Sequence, residues 1–452
     1  MSERPKNLRT KLAIAALLVA VVPLTAALSP AQVPKAPARP SPQVSPQRRG
    51  SDELAPRVDE GKVAAAGIRR LAGRHVTLYT DLPAAAELDD MPAVFDAAVP
   101  LWADYFAVPA GKLSGWKLVG CVMQNKDRFA GAGLFPDNLP DFQHGYSQDS
   151  QFWLYEQPSA YYRRHLMLHE GTHCFMQRWL AGAGPPWYME GIAELLGTHR
   201  WAGGKLTLGV MPATKEELPY WGRVKILKEE LAAGKALTLP QIMQYDSRAH
   251  LRQEPYGWCW AAAAFLDGHP LTQAPFRELK SQTADRSSAF SQRLAERLKP
   301  QWPAISQDWT LFVQECDYGY DFARAAVVHK AAQPIAPAGA AMAVDAARGW
   351  QAAGVALEAG KRYAISASGR FEVARQPRPW PCEAGGVTIR YHAGRPLGML
   401  LASVDLDEFT PIGTSAALTP KHSGPLYFKI NEASGGLADN SGSLTVVVKP
   451  LP

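Results

Sequence analysis

The hydrophobic and polar positions divide the chain into three stretches of different character. An uncharged run spans residues 12 to 28 near the N-terminus. From about residue 58, short apolar strand-like runs come first. They are followed by longer segments whose apolar residues recur at three and four, the spacing of one helix face. The pattern predicts a short helix over Val58–Leu71 and strands over His75–Leu82, Lys117–Gln124 and Gly145–Glu156. Helices are expected over Met91–Phe106, Tyr161–Leu180, Met189–Leu196, Lys215–Ala233, Gly257–Leu266 and Ser287–Leu298. No alternation of strand and helix is visible, so the expected class is α+β.

The character changes at AAQPIAPAGAA, residues 331 to 341. Beyond it, apolar runs recur between Gly, Pro, Asn and Ser clusters: Tyr363–Ala367, Val387–Tyr391, Leu426–Ile430 and Leu444–Val448. Short strands separated by turn residues predict an all-β sandwich. The expected organisation has five parts: an export segment at 1–31, a linker at 32–57, a catalytic-type domain at 58–330, a second linker at 331–345 and a sandwich at 346–452. No fixed-period repeat interrupts it.

Charge changes the picture only at the N-terminus. The 452 residues carry a formal net charge of +6, but residues 1 to 50 contain eight Lys/Arg against the single acid Glu3. Setting those aside leaves 40 basic and 41 acidic groups on the body. A nucleic-acid binder needs a basic face on its folded part, so that class is excluded. Arg4, Lys6, Arg9 and Lys11 preceding an apolar run and small residues describe an export signal. At about 17 residues the run sits at the lower limit of a membrane-spanning helix. A cleaved signal and a retained anchor both stand, and either exports the body to the periplasm, cell surface or medium. Any membrane contact is expected through this segment alone. Six prolines within residues 30–50 read as a semi-extended spacer. Five cysteines (121, 174, 259, 316 and 382) show no CxxC spacing; two disulfides at most, or buried thiols, are both open.

The chemistry-bearing motif is HEGTH, His169 to His173, inside a Pro-free helical frame. Two imidazoles four residues apart share a helix face and can reach one ion. Glu170, next to the first of them, is placed to act as a base toward water activated by that ion. Zinc suits imidazole and carboxylate ligands, and a catalytic zinc keeps a fourth position open. His165 extends the same column, but one helical turn of rise, about 6 Å, separates it from the pair. Packing or an outer supporting role is therefore expected of it. Cys174 points about 100° from His173 around the helix and is expected in the core.

A second acidic helix follows, PPWYMEGIAELLG, with Glu190 17 residues after His173 and Glu194 one turn further on. HEGTH followed by WYMEGIAE resembles the gluzincin metallopeptidases: thermolysin-like, aminopeptidase-N-like and peptidase-MA-like enzymes. The resemblance implies a zincin fold over roughly residues 70–330, with zinc held by His169, His173 and Glu190 and with Glu170 as catalytic base. It places Glu194 where such enzymes hold an acid that orients a ligand histidine. EPYGWCWAAAAFLD, from Glu254, resembles their P-Y-x-x-G-x-A segment, which makes Tyr256 the expected oxyanion donor. The G-x-M-E-N segment that grips a substrate amino terminus is absent. Endopeptidase action on a peptide or protein, or an unusual substrate, is what the resemblance leaves open.

The C-terminal stretch carries GKRYAISASG and then GPLYFKINEASGGLADNSGSLTVVV. In that order these resemble the PA-IL galactose-binding lectin and related β-sandwiches. The resemblance implies a calcium loop with Glu432, Asp439 and Asn440 as side-chain ligands and Gly436 through its backbone oxygen, with carbohydrate as partner. Oxygen ligands suit calcium, yet Asn, Asp and Gly also make ordinary tight loops. The first expectation is thus an exported zinc metallopeptidase with an accessory sandwich. One alternative is a carbohydrate-binding surface protein on a non-catalytic zincin scaffold. The other is a structural zinc site, which would leave Glu170 without a role.

Overall fold

The computed structural model describes residues 56–452 except 247, 250, 251 and 407. The expected export segment and nearly all of the first linker lie outside the described residues. No described helix is long and apolar enough to cross a membrane.

Residues 69–155 form a five-stranded sheet, β1 (Arg69–Ala72), β2 (Val76–Thr80), β3 (Leu118–Met123), β4 (Gly145–Gln148) and β5 (Gln151–Tyr155), in the order β1-β2-β3-β5-β4. Strands β2, β3 and β5 run parallel, while β1 and β4 close the edges antiparallel. Every residue of β2 and β3 is buried, because a parallel pair is covered on both faces and reads as a continuous apolar run. The helix Met91–Phe106 makes the crossing between β2 and β3 that parallel pairing demands. A local strand–helix–strand unit is therefore present, contrary to the expectation of no such alternation. Its three elements lie where the pattern predicts them; the parallel pairing of the two strands is what local pattern does not encode.

Several boundaries differ from the sequence expectation, each for a local reason. The first helix covers only Glu60–Ala65, since Gly67 turns the chain at φ 68° and Arg69–Ala72 joins the sheet. Gly145–Glu156 is a hairpin rather than one strand, with Asp149 at φ 53° in its turn. Of Lys215–Ala233, only Arg223–Ala232 is α-helical, after Pro219 and a left-handed Gly222. The helices Gln273–Glu278 and Trp302–Glu315 and the hairpin His199–Ala202/Lys205–Leu208 carry no expected counterpart.

Helix Ala160–Trp179 lies across this sheet against Met91–Phe106. Ser159 caps it, its hydroxyl accepting from the Tyr162 amide at 3.0 Å. Helices Pro186–Gly197 and Glu254–Gly268 pack behind it, around fully buried Trp187, Trp221, Trp258 and Trp260. The five cysteines are all buried and none is bonded to another.

The C-terminal half is a pair of sheets enclosing Val344, Leu357, Ile365, Leu400, Leu426, Phe428 and Leu444. One sheet contains Gly385–His392, Arg395–Val404, Gly424–Ile430, Gln351–Leu357 and Gln333–Pro334. The other contains Pro381–Cys382, Phe371–Glu372, Ser441–Pro450, Tyr363–Ser368 and Ser415–Leu418. The segment expected as a second linker also joins the sandwich. Ala340–Asp345 pairs along Ser441–Pro450, with Met342 opposite Val446.

The two halves are joined by buried charge. Lys429 donates to both oxygens of Glu315 at 2.7 and 2.9 Å, and Ser434 donates to Glu315 at 2.7 Å. Asp308 accepts from the rings of His269 and His329 at 2.7 and 2.9 Å. Burial opposes ionisation of Glu315, yet Lys429 and Ser434 hold its carboxyl below the usual value of 4.5. A depressed carboxylate stabilises the fold above its ordinary value and loses that contribution as pH falls through the lowered one. Lys429→Met should therefore cost about 3 kcal/mol in urea unfolding near pH 7, with a markedly smaller cost near pH 3. Equal costs at the two pH values would contradict the pairing.

Candidate metal centre

Three donor atoms converge between two helices. His169 Nε2 lies 3.1 Å from His173 Nε2 and 3.2 Å from Glu190 Oε2, and His173 Nε2 lies 3.6 Å from the same oxygen. A tetrahedral ion about 2.0–2.1 Å from each donor needs donors roughly 3.3 Å apart, and the observed separations bracket that value. The two imidazoles stand edge to face at 88°, so both Nε2 lone pairs can meet one point. Glu190 Oε2 is buried and has no hydrogen-bond donor. A carboxylate oxygen left that way calls for a cation or a proton. The residues present fit zinc.

The helices can bring these atoms together because of two glycines. A side chain on Gly171 would begin 2.6 Å from the Phe95 ring and 2.8 Å from Trp102, so the HEGTH helix could not settle onto Met91–Phe106. One on Gly191, directly after Glu190, would begin 2.8 Å from the Cys259 carbonyl oxygen and 3.1 Å from the Ala263 methyl. Gly191 therefore permits the close crossing of Pro186–Gly197 over Glu254–Gly268.

The remaining expected residues surround this point. Glu170 is buried at 6% exposure, beside edge strand β4. Its Oε1 lies 2.8 Å from where a side chain on Gly145 would begin. Tyr256, in the first turn of Glu254–Gly268, has its ring centroid 6.1 Å from that of His169. Burial pushes its phenol far above the ordinary value, and Glu190, Glu170 and Glu194 push it further, against Arg223. It thus keeps its proton as a donor. Glu194 places Oε1 3.2 Å from His169 Nδ1. His165 is fully buried, with Nε2 3.4 Å from Glu194 Oε2 and its ring stacked on Tyr162. It stands outside the convergence of three donors. Cys174 is buried, its thiol 3.7 Å from the Gln151 carbonyl oxygen.

Arg223 was not anticipated. It is buried at 8% exposure and grips Glu194 with Nε at 2.7 Å and Nη2 at 2.8 Å. In the sequence it is one more polar residue on an amphipathic helix, and no spacing links it to Glu194, 29 positions earlier. Tyr162 and Gly145 also carry no motif. A glycine at the start of a strand near a catalytic-type helix was the one available hint, because such glycines mark close approach.

In the C-terminal loop, Gly436 and Asp439 lie near Glu432, while Asn440 bonds elsewhere. Glu432 and Asn440 are buried, and Gly436 passes so close to Glu432 that a side chain there would begin 2.6 Å from Oε1. Asn440 donates to the Ala346 carbonyl at 2.9 Å, while its own Oδ1 is buried without a donor. Asp439 is exposed. Burial pushes the Glu432 carboxyl up to about 7, with Asp439 adding to the effect and the Ala433 amide and Arg390 opposing it.

No family model matches the chain, and no curated protein matches it. A solved structure described as "EclA N-terminal domain; PllA-like lectin" is similar at 24% identity, over 25% of this chain and 95% of that one, with a TM-score of 0.21. A likeness of that size carries no argument about function.

The glycine crossing yields a direct test. Gly191→Ala should destabilise the fold by about 1–3 kcal/mol through overpacking and weaken zinc binding. Gly131→Ala, on an exposed helix with open space around it, should be neutral or slightly stabilising. Urea unfolding and zinc titration of both variants check the pair.

Proposed function

We propose that the chain is an exported zinc-dependent hydrolase of the gluzincin type that cleaves peptide bonds, acting as an endopeptidase. The observation that carries this is the set of three donor separations, 3.1, 3.2 and 3.6 Å, with an orphaned carboxylate oxygen among them. His169, His173 and Glu190 would hold the ion. When bound, zinc supplies Lewis acidity and an open coordination position.

The chain's own residues account for the rest. Glu170 accepts the proton of the attacking water and delivers it to the leaving amine, the work of a buried, positioned carboxylate. Tyr256 keeps its proton and donates toward the oxygen on which negative charge develops. Glu194 holds a proton on His169 Nδ1, which leaves the Nε2 lone pair for the ion. Strand β4 is an outer strand of its sheet, so its free edge offers backbone groups to an extended peptide. That edge runs past Gly145, next to Glu170.

A second reading is calcium in the loop of Glu432, Gly436, Asp439 and Asn440, with carbohydrate as ligand and the zinc domain as scaffold. The buried, donor-free Asn440 Oδ1, in the same loop as buried Glu432, favours it, since hard oxygens without donors suit calcium. One assay separates the two. The first reading requires about one zinc per chain and chelator-sensitive cleavage of a peptide library. Glu170→Gln should retain the metal while hydrolysis falls by roughly 10²–10⁴-fold. Calcium-dependent glycan binding that survives zinc removal, with no peptide cut, would select the second reading. Full activity in Glu170→Gln would remove the base assignment.

A further inference from the structure

Three groups compete for the Glu194 carboxylate. Arg223 donates to both oxygens at 2.7 and 2.8 Å, while His169 Nδ1 and His165 Nε2 stand off at 3.2 and 3.4 Å. All four residues are buried. One imidazole contact leaves a carboxylate free to swing about it. A guanidinium fork bonded to both oxygens fixes the carboxylate in position and in plane.

Arg223 is itself fixed. Its Nη1 donates to the Trp221 carbonyl oxygen at 3.0 Å. Trp221 meets Trp260 edge to face at 4.7 Å, and the guanidinium lies 5.8 Å from the Tyr256 ring centroid. Trp260 and Tyr256 both belong to helix Glu254–Gly268. Nothing in the helix that begins at Arg223 explains its burial, because a cation in the first turn opposes the helix dipole.

We propose that Arg223 is a positioning residue of the metal centre: by clamping Glu194 it fixes the His169 ring toward the ion and ties the metal ligands to the helix that carries Tyr256. This rests on the zinc reading. It also accounts for a second donor group. His165, His169 and Glu194 offer ligand atoms within 4.8 Å of one another, but the guanidinium already takes both Glu194 oxygens. A cation there would face the guanidinium charge, which disfavours a second ion beside the first.

The full chain, stripped of metal, is titrated with Zn²⁺ against a chromophoric chelator, and its visible spectrum is recorded with Co²⁺ in place of zinc. Wild type should bind one ion. Arg223→Met should bind it roughly 10–100-fold more weakly, with shifted cobalt bands that report a changed ligand field. Arg223→Lys keeps the charge but loses the fork, so it should fall between the two and still shift the bands. Should Arg223→Met fail to fold, as judged by circular dichroism, the neutral pair Glu194→Gln/Arg223→Gln replaces it with the same expected loss. Wild-type affinity and an unchanged cobalt spectrum in either variant overturn the role of Arg223 and leave the zinc reading intact. A wild-type protein that binds no zinc overturns both.

Discussion

Two imidazole nitrogens and a carboxylate oxygen held within 3.6 Å of one another, at 4–8% exposure, form an arrangement that water cannot relieve. Removing a carboxylate from solvent costs several kcal/mol unless a positive partner meets it. The helices around it make that partner easy to supply and hard to do without. Gly171 and Gly191 let two pairs of helices cross closely, Glu194 fills the space behind His169, and Arg223 balances Glu194. Polarity alternates outward from the paired imidazoles: the Glu190 and Glu194 carboxylates, the Arg223 guanidinium, then aromatic rings. Each layer makes the burial of the one inside it tolerable.

The helical half was legible where periodicity and chemistry coincide. His169 and His173 share a face by the helical repeat alone. Glu190 was paired with them by the resemblance of WYMEGIAE to the gluzincin helix, the 17 residues between leaving room for a turn and a return. Arg223 and Tyr162 were not legible, because their roles come from tertiary packing across separate helices, and a single polar residue on an amphipathic helix looks solvated. The hairpin at Gly145–Tyr155 was hidden by a different cause. Asp149 takes a left-handed turn conformation that Asp tolerates without a glycine signal. All three elements of the β2–helix–β3 crossing were legible, but not the parallel pairing of the two strands, which is set by tertiary packing rather than by local pattern.

The sandwich shows the same division. Four of its strands announced themselves as apolar runs between turn residues, and each of these lies in a sheet, whereas the inner strands Arg395–Val404 and Gln351–Leu357 did not stand out. Nor did the edge strand Ala340–Asp345, which alternates only weakly and follows a Pro-rich stretch, yet its backbone pairs along Ser443–Val448. Edge strands need less side-chain burial than central ones, so they leave a fainter mark. The contact with the helical half was equally silent. Glu315 and Lys429 are separated by 114 residues, and neither sits in a motif.

That silence has a physical consequence for the C-terminal loop. Ser434 donates to Glu315, and Gly435 abuts Gly319 so closely that a side chain on it would begin 2.8 Å from the Gly319 backbone. The loop whose oxygens suit a hard cation is therefore also a packing element against the helical half. A domain free to serve as an independent binding module would leave that loop in solvent along its whole length. Here Glu432, Ser434 and Asn440 are buried and Ser434 is bonded to the helical half, while Asp439 alone among the expected side-chain ligands faces outward. Such packing couples the loop's order to that of Trp302–Glu315. An ion bound there would stabilise the junction between halves as much as it would shape a surface for sugar.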